Sequence, residues 1–435
     1  MSALARYFHS KGARVSGYDK TPSSLTKELE QSGMKIHYEE NVDLVPKDAE
    51  LIVYTPAVPK EHKELVYYQQ HGYKVVKRSD VLQIVTESSF NICIAGTHGK
   101  TTITTMIAHL LRHTGYGCNA FLGGISVNYG TNFWSSEKNV SVVEADEYDR
   151  SFLKLSPDVA IITAMDPDHL DIYGTAEAME QAFIDYSGKI KEGGLLLSKF
   201  GLKRAKDLKG AKHLTYSVQN NNADARAENI RMINGSYEFD VVIKEKRIEN
   251  VRLNIGGMHN VENAVAAITV ASSLHIDEEK IKAAVADFKG VKRRFEYIIK
   301  TDDLVFIDDY AHHPEELRAL ISGAKSLFSE KKCTVIFQPH LYTRTRDLAN
   351  GFAEVLDMAD EVILLPIYPA RELPIAGVNS EMILNKMNNK NKRVLETGEL
   401  KDWIKKDFTR NGKVLVMAGA GDIDLLVDPI KEILK

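Results

Sequence analysis

The sequence has few cysteines and no long apolar run. Its three cysteines, Cys93, Cys118 and Cys333, are far apart and lack the short spacing of metal sites. A disulfide-dense secreted domain is therefore excluded, and a reducing, cytoplasmic location is expected. No stretch approaches the roughly 18 apolar residues of a membrane-spanning helix. The N-terminal residues also lack the signal-peptide pattern, so we predict no membrane insertion.

An excess of either charge is also missing. The 56 basic and 60 acidic residues give a net charge of −4 and are interspersed. A nucleic-acid partner bound through bulk positive charge is therefore not expected. The apolar share of 44% and the charged share of 27% are typical of globular proteins. A length of 435 residues allows two to four domains.

Alternating helix and strand patterns predict an α/β protein with parallel sheets. We place three domains at residues 1–85, 86–291 and 292–435. In the first and third domains, predicted strands and helices alternate as in Rossmann-type domains, although the first domain begins on a helix with no strand before it. The central domain also contains "MINGSYEFDVVI", an Asn-Gly turn followed by apolar residues at period two. This pattern predicts a small antiparallel patch within the central domain.

A glycine turn between a predicted strand and helix is the strongest functional signal. Backbone N–H groups of such a turn bind phosphate, helped by the partial positive charge of the helix N-terminus. Lys100 could contact the terminal phosphates, and the Thr101 hydroxyl could bind Mg²⁺. Only two residues separate the first glycine from Gly-Lys, where the common P-loop has four; this disfavours a motor or GTPase switch. The predicted phosphate-binding residues are Gly96, Thr97, His98, Gly99, Lys100, Thr101 and Thr102.

Acidic residues and a histidine follow the next two predicted strands. "VVEADEYD" ends a buried strand, and its carboxylates, Glu144 first, could bind Mg²⁺ beside the phosphate loop. "MDPDHLDIYG" places His169 at the end of the neighbouring strand. Thr101, Glu144 and His169 together could hold metal ions. The alternatives are a solvated acidic loop and a surface histidine.

A predicted helix begins at "GMHNVENAVAAI". Asn263 falls in its early turns, where the amide could recognise a nucleotide base, and His259 precedes it. The alternative is that Asn260 caps the helix N-terminus. These two interpretations are left open by the residues alone.

Polar segments also follow strands of the third domain: "KRRFEY", "DDYAHHPEE" and "FQPHLYTRTRD". Arg293 and Arg294 could bind phosphate, and Pro314 could begin a helix. Three polar strand ends in one parallel sheet predict a ligand crevice. Ordinary loop polarity is the alternative.

Taken in order, these segments resemble the Mur ligase family. The resemblance rests on GTHGKTT, EADEYD, DHLD, GMHNVENA, RRFE, DDYAHHP, FQPHLYTRT and AGAGDID and covers essentially the whole chain. It implies a uridine-nucleotide domain, a central ATPase domain and a C-terminal Rossmann-like domain. FQPHLYTRT and AGAGDID point to the member that joins L-alanine to UDP-N-acetylmuramate in peptidoglycan precursor synthesis, through an acyl phosphate made with ATP and Mg²⁺. A monomer or homodimer is expected.

The resemblance also implies roles for individual residues. Lys100, His169 and Arg344 would act in catalysis, and Thr101, Glu144 and His169 would bind Mg²⁺. Nucleotide contacts outside the glycine turn would come from His259, Asn263, Arg294, Asp309 and His312. Substrate contacts would come from Asp19, Tyr310, His340 and Arg344.

The sequence departs from the family pattern at three places. Several family members carry a carbamylated lysine about fifteen residues after the metal histidine, whereas the first lysine after His169 is Lys189, twenty residues on, so no carbamylated lysine is predicted. Leu341 stands where the family has arginine, so one contact to the amino acid or the intermediate is expected to be missing or moved. The family pattern also begins with a strand and a GxGGxG loop ahead of the segment that starts here at Met1. We therefore expect residues 1–85 to form an incomplete domain, and we attribute this to a misplaced start codon or a truncated sequence.

Two other functions remain open. A recycling ligase that attaches a preformed tripeptide to the same UDP-sugar shares most of these segments. A P-loop ATPase without ligase activity would share the glycine turn alone. The segments of the third domain favour the L-alanine ligase over both.

Overall fold

The computed structural model describes residues 1–55, 57–148, 150–167, 170–370 and 372–435. The chain divides into two compact units. The first comprises residues 1–227, 241–248 and 262–285, and the second comprises 228–240, 249–261 and 286–435. The three domain limits drawn from the sequence remain a prediction.

The N-terminal region of the first unit contains short strands that alternate with helices. As predicted, it begins on a helix. Strands β1 and β2 form one parallel pair and β3 and β4 form another, in two separate two-stranded sheets. The elements are α1 Ser2–Ser10, β1 Ser16–Tyr18, α2 Ser24–Gln31, β2 Lys35–His37, β3 Ile52–Tyr54, α3 Lys63–Gln70, β4 Val75–Lys77 and α4 Arg78–Glu87.

A ten-stranded sheet follows, and it positions the glycine turn. Its order is β14-β13-β12-β11-β10-β9-β5-β8-β6-β7. The strands are β5 Phe90–Ala95, β6 Asn119–Ser126, β7 Thr131–Trp134, β8 Val140–Glu144, β9 Val159–Ile162, β10 Leu195–Lys199, β11 Lys212–Ser217, β12 Ala225–Ile233, β13 Ser236–Ile243 and β14 Lys246–Leu253. The helices between and after them are α5 Lys100–His113, α6 Leu170–Tyr173, α7 Ala176–Ser187, α8 Met258–Ser273 and α9 Glu278–Asp287.

The central strands of this sheet are parallel, as predicted. Strand β5 pairs in parallel with β8 on one side and β9 on the other, so the carboxyl ends of all three meet at one edge. The predicted antiparallel patch is also confirmed. Strands β12 and β13 are joined by Asn234 and Gly235, whose φ angles of +49° and +69° suit a tight hairpin turn.

The six-stranded sheet of the second unit has the order β15-β16-β20-β17-β18-β19. Only β15 is antiparallel to its neighbour, and this strand was missed in the sequence. The strands are β15 Glu296–Lys300, β16 Leu304–Asp309, β17 Lys332–Phe337, β18 Glu361–Leu364, β19 Lys392–Val394 and β20 Lys413–Ala418. The helices are α10 Pro314–Leu327, α11 Tyr342–Leu356, α12 Glu381–Leu384, α13 Thr397–Lys406 and α14 Val427–Leu434.

Each unit has an apolar core beneath its polar strand ends. In the first unit, strand residues such as Cys93 and Ile162 pack with Phe183 of α7. In the second, Phe306 and Leu415 pack with Trp403 of α13. The three cysteines are buried free thiols. Within the described part of the chain, no helix is long and apolar enough to cross a bilayer.

Candidate functional site

The glycine turn connects β5 to α5 in a conformation that requires glycine. Gly96 has φ +129°, and a Cβ there would lie 2.7 Å from the Ala164 nitrogen and closer still to the Thr163 hydroxyl. Gly99 has φ +81° and directly precedes Lys100, the first residue of α5. Both glycines are needed for the backbone to approach its neighbours closely. The turn therefore presents backbone N–H groups at a helix N-terminus, an arrangement that binds phosphate.

Lys100 is held inside this turn by two acceptors. Its Nζ donates to the Gly96 carbonyl at 2.6 Å and to Glu147 Oε1 at 2.7 Å. Glu147 is 1% exposed, and its Oε2 has no hydrogen-bond partner among the described residues. Burial raises the pKa of Glu147, and the nearby Lys100 ammonium opposes that rise. Glu147 was recognised in the sequence as part of the acidic run, but it was not assigned to the site.

Thr101 and Glu144 come together as predicted. The Thr101 hydroxyl donates to Glu144 Oε1 at 3.2 Å, and Glu144 Oε2 is buried without a partner in the described part of the chain. Burial raises the pKa of Glu144, and Lys100 opposes the rise. A hydroxyl and a carboxylate are the oxygen donors that Mg²⁺ prefers, so this pair fits Mg²⁺. The third predicted ligand, His169, lies outside the described residues.

Asn263 also lies at the glycine turn. A Cβ placed on Gly99 would be 3.2 Å from Asn263 Oδ1, and Asn263 is 8% exposed. The capping alternative for Asn260 does not hold, because α8 begins at Met258 and the Asn260 amide donates to the Gly256 carbonyl at 2.6 Å. The structure therefore places the Asn263 side chain beside Gly99 of the turn.

The other predicted residues of the first unit are less constrained. The Thr97 hydroxyl is buried and has no partner among the described residues. His98 is exposed, with its Nε2 3.7 Å from Asp166. Thr102 is half-buried on α5. Asp19 follows β1, is exposed, and accepts a hydrogen bond from the Thr21 nitrogen at 3.1 Å.

In the second unit, the structure distinguishes Arg293 from Arg294. The Arg293 guanidinium lies 3.6 Å from both Asp308 and Asp424 and donates to the Gly419 carbonyl. The Arg294 guanidinium is exposed and lies 5.5 Å from the centre of the Tyr310 ring. Arg293 is therefore occupied by acceptors within the unit, whereas the Arg294 guanidinium is exposed beside the Tyr310 ring.

Asp309 ends β16 and is occupied by backbone groups. Its two oxygens accept from the Phe295 and Ala311 nitrogens, each at 2.7 Å. Burial raises the pKa of Asp309 to about 6, and these hydrogen bonds oppose the rise. The Asp309 carboxylate thus orders the segment around Tyr310. His259, the remaining nucleotide candidate of this unit, is exposed. Its Nδ1 atom lies 2.9 Å from the position that a Cβ on Gly257 would take.

His312, His340, Arg344 and Tyr368 form one cluster at the carboxyl edge of the second sheet. The His312 and His340 rings are 6.0 Å apart, and His340 stacks on Tyr368 at 5.7 Å. Arg344 Nη1 lies 3.2 Å from His340 Nδ1. Burial, reinforced by the Arg344 charge, lowers the pKa of His340, and burial lowers that of His312. Both rings are therefore neutral at pH 7, beside a permanent cation.

Leu341 has an unusual backbone within this cluster. Its φ of +70° and ψ of +136° are rarely adopted by a residue with a side chain. Its nitrogen donates to the Tyr368 carbonyl at 2.9 Å, and its carbonyl accepts from Thr345. One turn further along α11, Arg344 supplies the guanidinium of this cluster.

Two carboxylates and an aromatic ring of the site region were not assigned to the site from the sequence. Glu147 binds Lys100, Tyr368 stacks on His340, and Glu372 accepts from the Thr343 nitrogen at 3.0 Å. Glu147 could have been found from its position in EADEYD. Tyr368 and Glu372 belong to "IYPARELP", and no local pattern in that segment indicates a site.

Comparison with known proteins identifies three consecutive matches. The Mur ligase family catalytic domain matches residues 1–89, the Mur ligase middle domain matches 94–271, and the Mur ligase glutamate ligase domain matches 293–421.

Relatives and solved structures match over nearly the full chain. UDP-N-acetylmuramate–L-alanine ligases of Parabacteroides distasonis and Flavobacterium johnsoniae are 51% and 44% identical over 100% of this chain and 95% of theirs. A UDP-N-acetylmuramate-alanine ligase structure from Thermotoga maritima has TM-score 0.85 and 29% identity, covering 99% of this chain and 96% of its own. The chain belongs to the Mur ligase family.

Proposed function

We propose that this protein is an ATP-dependent ligase that joins L-alanine to the lactyl carboxylate of UDP-N-acetylmuramate in peptidoglycan precursor synthesis. The observation that supports it most is the arrangement of Lys100, Thr101 and Glu144 at the glycine turn. The relatives that are 51% and 44% identical over the chain are both named UDP-N-acetylmuramate–L-alanine ligase. The reaction proceeds through an acyl phosphate, which L-alanine then attacks with release of phosphate.

The first unit is proposed to bind ATP. Attack of a carboxylate on the terminal phosphate brings anions together, so positive charge must offset their repulsion. Lys100 supplies one such charge after leaving Glu147, and the backbone N–H groups of the glycine turn bind the phosphates. Mg²⁺, when bound by Thr101 and Glu144, withdraws electron density from the phosphate oxygens. Asn263 and His259 are proposed as nucleotide contacts.

The second unit is proposed to bind the amino acid. Arg344 can bind the L-alanine carboxylate, because a guanidinium pairs with a carboxylate through two parallel hydrogen bonds. The neutral His340 accepts from Arg344 and so fixes its orientation. Arg294, Asp309 and His312 are proposed as nucleotide contacts, with Asp309 ordering the segment, and Tyr310 is proposed as a substrate contact.

The proposal extends to organisation and location. Residues 1–85 are proposed to bind the UDP-sugar, with Asp19 as a contact. Residues 86–291 are proposed to bind ATP, and residues 292–435 the amino acid. A cytoplasmic location follows from the three free cysteines and remains a prediction, as does a monomeric or homodimeric state.

The experiment is phosphate release from ATP and Mg²⁺ with UDP-N-acetylmuramate. L-alanine, glycine, L-serine and the tripeptide are added in turn, with a Lys100→Met variant as control. Release that requires L-alanine and disappears in the variant supports the proposal. Release that requires the tripeptide would support the recycling ligase instead. Release without any acceptor would favour a simple ATPase.

A further inference from the structure

Strand β6 has an irregularity beside Glu144. It runs parallel to β8, with Phe121 opposite Val143, so the chain past Phe121 lies along the carboxyl end of β8, where Glu144 is the last residue. On its other side, β6 pairs with β7, and this register shifts between Phe121 and Ser126. Such irregularities are frequent next to active sites, where they change the direction of side chains.

Gly123 lies within this irregular segment, directly against the Glu144 carboxylate. A Cβ on Gly123 would be 2.6 Å from both Cδ and Oε1 of Glu144 and closer still to Oε2. These distances are far below van der Waals contact. Gly123 does not have a left-handed φ, so the backbone itself would accept alanine. Glycine is therefore required at position 123 if the Glu144 carboxylate is to keep this position.

Two neighbours of the Glu144 carboxylate determine where it lies. Thr101 donates a hydrogen bond to Oε1 at 3.2 Å, and Gly123, which has no Cβ, leaves the space that the carboxylate fills. Oε2 is buried and has no hydrogen-bond partner among the described residues. A carboxylate in this state has one oxygen oriented by the protein and one oxygen that no described residue satisfies.

We propose that Gly123 is a positioning residue that sets where the Glu144 carboxylate lies and hence how tightly the site binds a divalent cation. This inference rests on the proposed role of Thr101 and Glu144 in binding Mg²⁺. An alanine at position 123 displaces the carboxylate, since the end of a flexible side chain moves more readily than two strands. The fold is retained while the oxygen donor is moved, and cation affinity falls 10- to 100-fold, as for other residues that orient metal ligands.

The test measures Mn²⁺ binding by electron paramagnetic resonance of the free ion, with a non-hydrolysable ATP analogue present. Gly123→Ala is compared with wild type and with Gly398→Ala, an exposed position with open space and no left-handed φ. We expect the Mn²⁺ Kd to rise 10- to 100-fold in Gly123→Ala and to be unchanged in Gly398→Ala. The double variant Gly123→Ala/Glu144→Asp, with a shorter acid, should recover part of the affinity.

Thermal unfolding separates positioning from packing. The inference requires that the unfolding midpoint of Gly123→Ala stays within a few degrees of wild type. An unchanged Mn²⁺ Kd in Gly123→Ala would overturn it, and so would a lowered midpoint with no loss of affinity. If wild type itself bound no Mn²⁺, the metal role of Glu144 would fail, and the inference with it.

Discussion

Lys100 and Glu147 form an ion pair at the phosphate-binding turn, with 2.7 Å between Nζ and Oε1. The lysine side chain is 14% exposed and that of Glu147 is 1% exposed. A phosphate bound at the turn has to compete with this internal carboxylate for the same ammonium. Glu147 therefore sets part of the free energy that nucleotide binding must supply.

Replacing Glu147 with glutamine should strengthen nucleotide binding. The amide has the same shape, but it attracts the Lys100 ammonium less than a carboxylate does. We expect the Kd for ADP or ATP to fall roughly tenfold, about 1.4 kcal/mol, as measured by calorimetry. Asp146→Asn, which alters a neighbouring acid without a bond to Lys100, is the control. A weaker-binding Glu147→Gln would show instead that the acid orients Lys100 for phosphate.

Thr101→Val should impair the metal site with little change in side-chain volume. The valine cannot bind a cation, and it leaves Glu144 Oε1 without its donor. We expect kcat/KM to fall about 100-fold, with a higher Mg²⁺ concentration needed for half-maximal rate. Thr101→Ser keeps the hydroxyl and should stay within about tenfold of wild type. Equal losses in the valine and serine variants would contradict the role of the hydroxyl.

The KM for L-alanine should rise as the pH falls through the lowered pKa of His340. His340 Nδ1 can accept from Arg344 only while it is unprotonated, and its pKa lies below the usual 6.5. As the pH falls through that lowered pKa, the ring gains a proton and repels the guanidinium. His340→Asn places an oxygen near the Nδ1 position and does not titrate, so its KM should vary less with pH. A rise of the same size in that variant would contradict the assignment.

Asp308 should make the second unit less stable as the pH rises. Burial raises its pKa to about 7, whereas an unfolded aspartate has a pKa of about 3.9. The fold favours the protonated form of Asp308. The free energy of unfolding therefore falls by up to about 4 kcal/mol between about pH 4 and pH 7 and is constant above pH 7. Asp308→Asn should remove this slope.

Urea unfolding at several pH values measures that slope. Trp403 lies in the core of the second unit, and Trp134→Phe leaves it as the only tryptophan, so its fluorescence reports on that unit. Asp402→Asn, at an exposed position, is the control. A wild-type slope equal to that of Asp308→Asn would refute the prediction.

Features set by neighbouring residues could be predicted from the sequence. A helix was predicted directly after the glycine turn, and α5 begins there at Lys100. Its apolar residues three and four positions apart are buried: Ile103, Met106, Ile107, Leu110 and Leu111. Helix α10 begins at Pro314, as expected from the fixed φ of proline. The hairpin at Asn234 and Gly235 was predicted from the Asn-Gly turn and the alternating apolar residues after it.

Features set by distant residues could not be predicted. Gly123 and Glu144 meet because β6 lies next to β8, and no local pattern fixes the order of strands in a sheet. The choice between Arg293 and Arg294 depends on Asp308 and Asp424, which belong to other strands and loops. Strand β15 was missed because its residues are only half-buried and do not alternate.

The two small N-terminal sheets should be the part of the protein that unfolds locally first. Each contains two strands of three residues, and an isolated two-stranded sheet is only marginally stable. Their support comes from helices α1 and α4, through Leu4, Val81 and Leu82 in the core of the first unit. Backbone amides of β1 to β4 should therefore exchange with deuterium well before those of β5, and limited proteolysis should cut between α1 and α4 first.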